Sequence, residues 1–310
     1  MSEEKTKYDI IIIGAGPAGY TAGIYCSRAR HNTLLISGIL PGGQLMNTTD
    51  VENYPGFDQG IMGPDLMLTM RKQTERMGTK IIDDEVVSVD FKNNPLKVST
   101  ASSTFEANSV IVCTGANPRK IGLDGEQTFA GKGVSYCATC DGAFFKNQEL
   151  IVVGGGDSAM EEATFLTKFA STVHIVHRRD GFRASKIMQE RALSNEKIKV
   201  HFNYTVEDIQ GDQKFQKVIL KNVKNDETIT LEAGGLFVAI GHEPNSKIFD
   251  GQVELNENGY VVLKNNTETS IPGVFCAGDV HDHRYRQAVT AAGFGCMAAI
   301  DADKYLAEQK

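Results

Sequence analysis

The segment Tyr8-Asp9-Ile10-Ile11-Ile12-Ile13-Gly14-Ala15-Gly16-Pro17-Ala18-Gly19 decides the fold. Its first half is a β-branched run of strand length, and its second half is a G-x-G-x-x-G turn. Residues 20–30 then have helical composition, and 32–37 return to an apolar strand. This succession predicts a βαβ unit whose first turn sets a pyrophosphate at a helix N-terminus. Glycine is needed there because side chains would hold the backbone away from the phosphates. The acid that such a unit carries about 20 residues on is missing. The second strand ends instead at Ile36-Ser37-Gly38, so the ribose has to be held another way, with the loop 38–44 as candidate. The polar stretch 47–56 is too long for a hairpin turn and is expected to wrap a ligand.

The same pattern returns in Glu149-Leu150-Ile151-Val152-Val153-Gly154-Gly155-Gly156-Asp157-Ser158-Ala159, with alanine in the third glycine position. A strand is predicted over 150–153, a helix over 158–169 and a strand over 173–176. The second strand runs into His177-Arg178-Arg179-Asp180-Gly181-Phe182-Arg183, placing arginines where an NAD site would place an acid. Guanidinium groups bind phosphate in bidentate fashion, which suits the 2′-phosphate of NADP. Two further apolar strands, 110–115 and 236–241, are each followed by a proline-bearing break, Asn117-Pro118-Arg119 and His242-Glu243-Pro244-Asn245. The expected fold is therefore α/β, with two Rossmann-like dinucleotide-binding domains of the three-layer ββα type. The second, 118–244, is inserted into the first, 1–117 and 245–310. In the tail, a strand ends at Gly278-Asp279, where an acid can bond a sugar hydroxyl. Arg286-Gln287-Ala288 opens a helix of small residues.

Between the two turns lies Ser135-Tyr136-Cys137-Ala138-Thr139-Cys140-Asp141-Gly142. A C-x-x-C pair can close a small disulfide ring and reopen by thiolate attack. A zinc site on these cysteines would need two more ligands at similar spacing, and the sequence offers none. Asp141 would raise the pKa of a neighbouring thiol, so it reads as a proton donor and acceptor, or else as a turn residue before Gly142. The other cysteines, Cys26, Cys113, Cys276 and Cys296, sit singly among apolar or small neighbours and are expected to be buried and inert. His281 and His283 read as members of a solvent loop rather than metal ligands.

A chain of 310 residues has room for about two cores, and 41% hydrophobic with 23% charged residues is an ordinary soluble composition. A net charge of −7 argues against a nucleic-acid footprint, which is normally basic. The apolar run 10–13, preceded by Glu3-Glu4-Lys5, is too short for a signal segment or a membrane span. A cytoplasmic protein is expected.

Taken together these motifs resemble the low-molecular-weight, bacterial-type thioredoxin reductases over nearly the whole chain. The resemblance also draws on Gly42-Gly43-Gln44-Leu45 and Val51-Glu52-Asn53-Tyr54-Pro55-Gly56. It implies FAD at the first site, held by Gly14, Gly16, Pro17, Ala18, Gly19, Ser37, Gly38, Gly43, Gln44, Asn53, Thr114, Gly115, Asp279, Arg286, Gln287 and Ala288. It implies NADPH at the second, held by Gly154, Gly156, Asp157, Ser158, Ala159, His177, Arg178, Arg179, Arg183, Ile240 and Gly241. It further implies a redox-active Cys137–Cys140 disulfide, with Cys140 toward the flavin and Cys137 toward the disulfide of thioredoxin. A homodimer, and rotation of one domain against the other during turnover, complete the implied picture. Phe294 departs from the pattern, standing where a small or hydroxyl residue is expected near the flavin.

Overall fold

Ile10 and Ile12 pack on one face of a sheet and Ile11 and Ile13 on the other, all four essentially without exposure. A strand buried on both faces reads as an unbroken apolar run, and each such isoleucine is worth about 1.5–3 kcal/mol. The computed structural model describes residues 6–39 and 41–309; Glu3-Glu4-Lys5, and Leu40 of the loop 38–44, lie outside the described residues. The chain divides into two compact units, Met1–Asn117 with Glu243–Lys310, and Pro118–His242.

In the first unit, the strands Lys80–Ile82, Thr33–Ile36, Lys7–Ile13 and Thr104–Val112 lie side by side in parallel. On its edge away from Lys7–Ile13, the long strand Thr104–Val112 serves two partners. Its first half pairs antiparallel with Leu96–Thr100, which pairs in turn with Val86–Asp90. Its second half takes the late strand Val274–Cys276 in parallel, with Val274 opposite Val110. The helices Pro17–Arg28, Gly63–Arg76 and Ala288–Glu308 cover the face carrying Ile10, Ile12, Leu35 and Ile111. The antiparallel wing, through Val98 and Phe105, covers the face carrying Ile11, Ile13, Val110 and Val112. The result is a β-β-α sandwich of three layers. The first helix begins at Pro17, ahead of the expected 20, because proline's fixed φ suits a first turn whose N–H has no helical partner.

The second unit repeats the plan. Its parallel sheet runs Val134–Ser135, Gly235–Val238, Glu149–Val153, Thr172–His177, Ile198–Phe202. The helix Asp157–Leu166 packs Ala159, Met160, Ala163 and Leu166 on one face. A three-stranded antiparallel sheet, Tyr204–Gly211, Phe215–Asn222 and Thr228–Glu232, packs Val206, Phe215, Val218 and Leu220 on the other. In each unit the glycine turn leaves the first strand at the carboxyl edge of the parallel sheet, where open α/β folds bind ligands.

Candidate active site

Three glycines of the first turn have three different reasons to be there. Gly14 sits at φ +107°, and a side chain on it would strike the Cys113 carbonyl. A Cβ on Gly19 would strike the Gly14 carbonyl, so this glycine lets the helix approach the turn. Around Gly16 nothing comes within 4 Å of an added Cβ. The backbone there borders open space at a helix start that no side chain caps, which is an anion cradle. The loop after the second strand folds back over it: Gly42 N–H donates to the Ala15 carbonyl at 2.9 Å, and Gly43 lies across from Gly16. Gln44 Nε2 donates to Asn117 Oδ1 at 2.7 Å.

The strand ends around this opening are tied together. Thr114 Oγ1 donates to the Asn245 carbonyl at 2.7 Å, and the Asn245 N–H donates to the Gly115 carbonyl at 2.9 Å. Asn53 Nδ2 donates to Gln287 Oε1 at 3.2 Å, and Gln287 caps the helix Ala288–Glu308 with Thr290 as its capping-box partner. Buried Asp282, which sequence reasoning missed, shapes this corner by accepting from the N–H groups of Arg284, Tyr285 and Arg286. Asp279 lies close by, and burial, reinforced by Asp282 and opposed by Arg286, pushes its carboxyl up to about 7.

At the second turn, Gly154 keeps clear of the Ala239 carbonyl and the Ala159 methyl, and Gly156 again faces open space. Gly155 has a different neighbour: a Cβ there would strike the imidazole of His177. His177 is buried under the turn, its Nε2 without a partner, and burial with three nearby arginines holds its pKa below the usual range. It supports the turn as a neutral ring, while Arg178, Arg179 and Arg183 are exposed. The loop carrying them is fastened to the turn through the Arg183 and Ala184 N–H groups, which donate to the Gly155 carbonyl at 2.7 and 3.2 Å. Asp157 secures the far end by accepting from the Ser185 N–H and hydroxyl at 2.8 and 2.9 Å. Ser158 is half-buried in the first helical turn, Ile240 is half-buried, and Gly241, at φ +103°, accepts from the Arg119 N–H at 2.9 Å.

Cys137 and Cys140 form a disulfide with a Cα–Cα distance of 5.3 Å. The Asp141 N–H donates to the Cys137 carbonyl at 3.1 Å, and the Cys140 N–H donates to Cys137 Sγ at 3.2 Å. Cys140 is exposed and Cys137 half-buried. The buried Ser135 hydroxyl accepts from the Cys137 N–H at 3.0 Å and donates to Asp141 Oδ2 at 2.5 Å. Burial raises the Asp141 carboxyl above its ordinary range, against the pull of that hydroxyl. A carboxyl raised in this way one residue from a disulfide has the chemistry to hold a proton and give it up to a thiolate.

Two expectations need correction. His281 is not a solvent-loop residue: its ring stands edge-on to Phe294 at 4.5 Å, its Nε2 is buried without a partner, and burial brings its pKa down to about 4. Phe294, the odd residue of the C-terminal helix, supplies the apolar wall that buries it. Cys296 is only half-buried, beside the Tyr25 hydroxyl, whereas Cys26, Cys113 and Cys276 are buried as expected, with the Cys26 thiol pushed up to about 12. Among the described residues no three His, Cys, Asp or Glu side chains gather to hold a metal ion.

Residues 8–295 match the family described as pyridine nucleotide-disulphide oxidoreductase. A thioredoxin reductase of Streptomyces clavuligerus is 55% identical over 96% of this chain and 94% of its own. One from Mycolicibacterium smegmatis is 52% identical over 100% of both chains. The solved structure titled thioredoxin reductase from Giardia duodenalis superposes with a TM-score of 0.94 at 44% identity, covering 98% of this chain and 100% of that one. The chain belongs to the low-molecular-weight thioredoxin reductases. Membership in that family accounts for two nucleotide turns and one disulfide in a single chain. Both turns fit a dinucleotide, since Gly16 and Gly156 leave the space that a side chain would take. The family reading did not disclose Ser135, Asp282 or the Arg71–Asp83 ion pair at 2.8 Å. These are ordinary polar residues whose partners are set by the fold.

Proposed function

We propose that this reductase uses NADPH and FAD to reduce the disulfide of thioredoxin through Cys137 and Cys140. The observation that carries the reading is the disulfide with its half-buried Asp141 carboxyl, in the same unit as an arginine-marked nucleotide turn. Arg178, Arg179 and Arg183 select the 2′-phosphate of NADPH, over a turn formed by Gly154, Gly156 and Ala159. Gly14, Gly16 and Gly19 take the FAD pyrophosphate, while Gly43, Gln44, Asn53, Asp279 and Gln287 surround the flavin half. When bound, FAD supplies the two-electron relay between nicotinamide and disulfide.

Two electrons and two protons open the Cys137–Cys140 bond to a pair of thiols. Asp141 gives and takes the proton at the sulfur nearest it. Cys137, as thiolate, attacks the disulfide of thioredoxin and releases one of its sulfurs. Cys140 then attacks the mixed disulfide, re-forming the Cys137–Cys140 bond and freeing dithiol thioredoxin. An exposed apolar stripe on the C-terminal helix, Val289, Met297 and Ile300, supports a homodimer. A cysteine pair that cycles in a reducing compartment supports a cytoplasmic setting. No helix among the described residues is long and apolar enough to cross a membrane. The test is thiol titration: NADPH added to the yellow, flavin-loaded protein exposes two new thiols per chain, and a Cys137→Ser, Cys140→Ser variant exposes none. A double variant that still reduces thioredoxin at the parental rate would overturn the reading.

A further inference from the structure

The first nucleotide turn lacks the acid that takes the ribose hydroxyl, because Ser37 and Gly38 end the strand Thr33–Ile36. Its neighbour in the sheet, Lys80–Ile82, ends in Asp83. The parallel register sets Ile36 opposite Ile82, so Ser37 and Asp83 leave the sheet side by side. Three hydrogen bonds join the two ends. The Ser37 N–H donates to the Ile82 carbonyl at 3.0 Å, the Gly38 N–H to the Asp84 carbonyl at 3.0 Å, and Ser37 Oγ to Asp83 Oδ1 at 2.9 Å. From the helix Gly63–Arg76, Arg71 grips Asp83 in bidentate fashion, Nη1 to Oδ1 at 2.8 Å and Nη2 to Oδ2 at 2.9 Å. Its Nε donates to Glu75 at 3.1 Å.

Arg71 is largely covered, at 24% exposure, whereas Asp83 stays 52% exposed. A carboxylate has about four acceptor positions, and three on Asp83 are used, which leaves one on Oδ2. Asp84 is committed elsewhere, to the Glu85 N–H at 2.8 Å and the Ser102 hydroxyl at 3.3 Å. We infer that Asp83 is the ribose acid of the first nucleotide site, supplied by the adjacent strand, with Arg71 fixing its orientation and Ser37 locking the turn beside it. The cluster of Asp83, Glu75 and Arg71 is net negative, so it accepts a ribose 2′-hydroxyl and repels a 2′-phosphate. This is the opposite of the arginine loop at the second site, and the pair of discriminators keeps each nucleotide in its own unit.

The inference rests on FAD as the occupant of the first site, and its test separates the two. Flavin-free protein is titrated with FAD and with FMN, which lacks the adenosine half, by the change in flavin fluorescence. Asp83→Asn is expected to weaken FAD by about tenfold to a hundredfold, the range for one charge-assisted hydrogen bond, and to leave FMN affinity unchanged. The 2′-deoxyadenosine analogue of FAD is expected to bind the parental protein as weakly as FAD binds the variant, with no further loss on Asp83→Asn. Should the asparagine variant not fold, Asp83→Ser gives the same FAD-to-FMN ratio. Equal FAD affinity in variant and parent, or equal losses of FAD and FMN, would overturn the role of Asp83 while leaving the flavoprotein reading intact. A parental protein that takes up no FAD would overturn both.

Discussion

Asp279→Asn in the flavin-free protein gives a sharp test of how the strand end at Gly278 is built. Burial raises the Asp279 carboxyl from its ordinary value to about 7. In the unfolded chain the same group ionises near pH 4, so protons bind the folded state more tightly across the interval. The stability it contributes is therefore fully present below about pH 4 and is lost as pH rises toward about 7. Between an ionisation near pH 4 and one near pH 7, at about 1.4 kcal/mol per pH unit, the contribution amounts to ~4 kcal/mol in total. About 2–3 kcal/mol of that falls between about pH 5 and pH 8. Asparagine is neutral throughout and removes this slope, so the variant gains on the parent as pH rises. Urea unfolding at several pH values, followed by far-ultraviolet circular dichroism because the chain has no tryptophan, reads the difference on the transition that the substitution moves. Only the difference matters, so the other titrating groups cancel. A variant-minus-parent stability that stays flat, or that grows as pH falls, would refute the reasoning. Asp282→Asn should reduce the parental slope, since the Asp282 charge helps raise Asp279.

Other outcomes follow from the same geometry. Arg178 and Arg183 replaced by uncharged residues should weaken NADPH far more than NADH in steady-state kinetics; equal losses would remove the 2′-phosphate assignment. Asp141→Asn should slow thioredoxin reduction by about a hundredfold or more, with Ser135→Ala intermediate, and an Asp141→Asn enzyme of parental kcat would leave Asp141 a turn residue. Gly16→Ala and Gly19→Ala, three residues apart, should part company. The first keeps the melting temperature but loses flavin from its open face. The second meets the Gly14 backbone and costs about 1–3 kcal/mol or more in urea unfolding.

The parts of this molecule that the sequence discloses are those whose chemistry is local. Four successive isoleucines before Gly14, and Leu150 to Val153 before Gly154, announce buried parallel strands because no partner is needed to read a run of apolar residues. The arginine loop is legible for the same reason, since it follows its strand directly. The three-layer ββα type implies a second β layer in each unit, but not which segments form it. Val86–Asp90 and Thr228–Glu232 carry mixed faces whose identity depends on which strand lies alongside. The place of His177 beneath Gly155 is not legible in the sequence, because a strand's last residue alternates inward while the loop beyond it does not. Asp83 was invisible as a partner of Ser37, 46 residues away, until the register set Ile36 against Ile82.

The long strand Thr104–Val112, paired with Lys7–Ile13 on one side, leaves the other edge of its second half bare until Val274–Cys276 arrives, and Ser109 finds the Gly273 carbonyl only 164 residues later. During synthesis the ribosome therefore releases everything the inserted unit requires before it delivers the piece that closes the unit begun first. The order of maturation is inverted: the middle of the chain is finished while its beginning waits. Through that wait Val110, Ile111 and Val112 present an apolar sheet edge, the kind of surface that invites pairing with another nascent chain. Premature termination anywhere after about residue 242 would leave one sound nucleotide-binding body attached to an unfinished one.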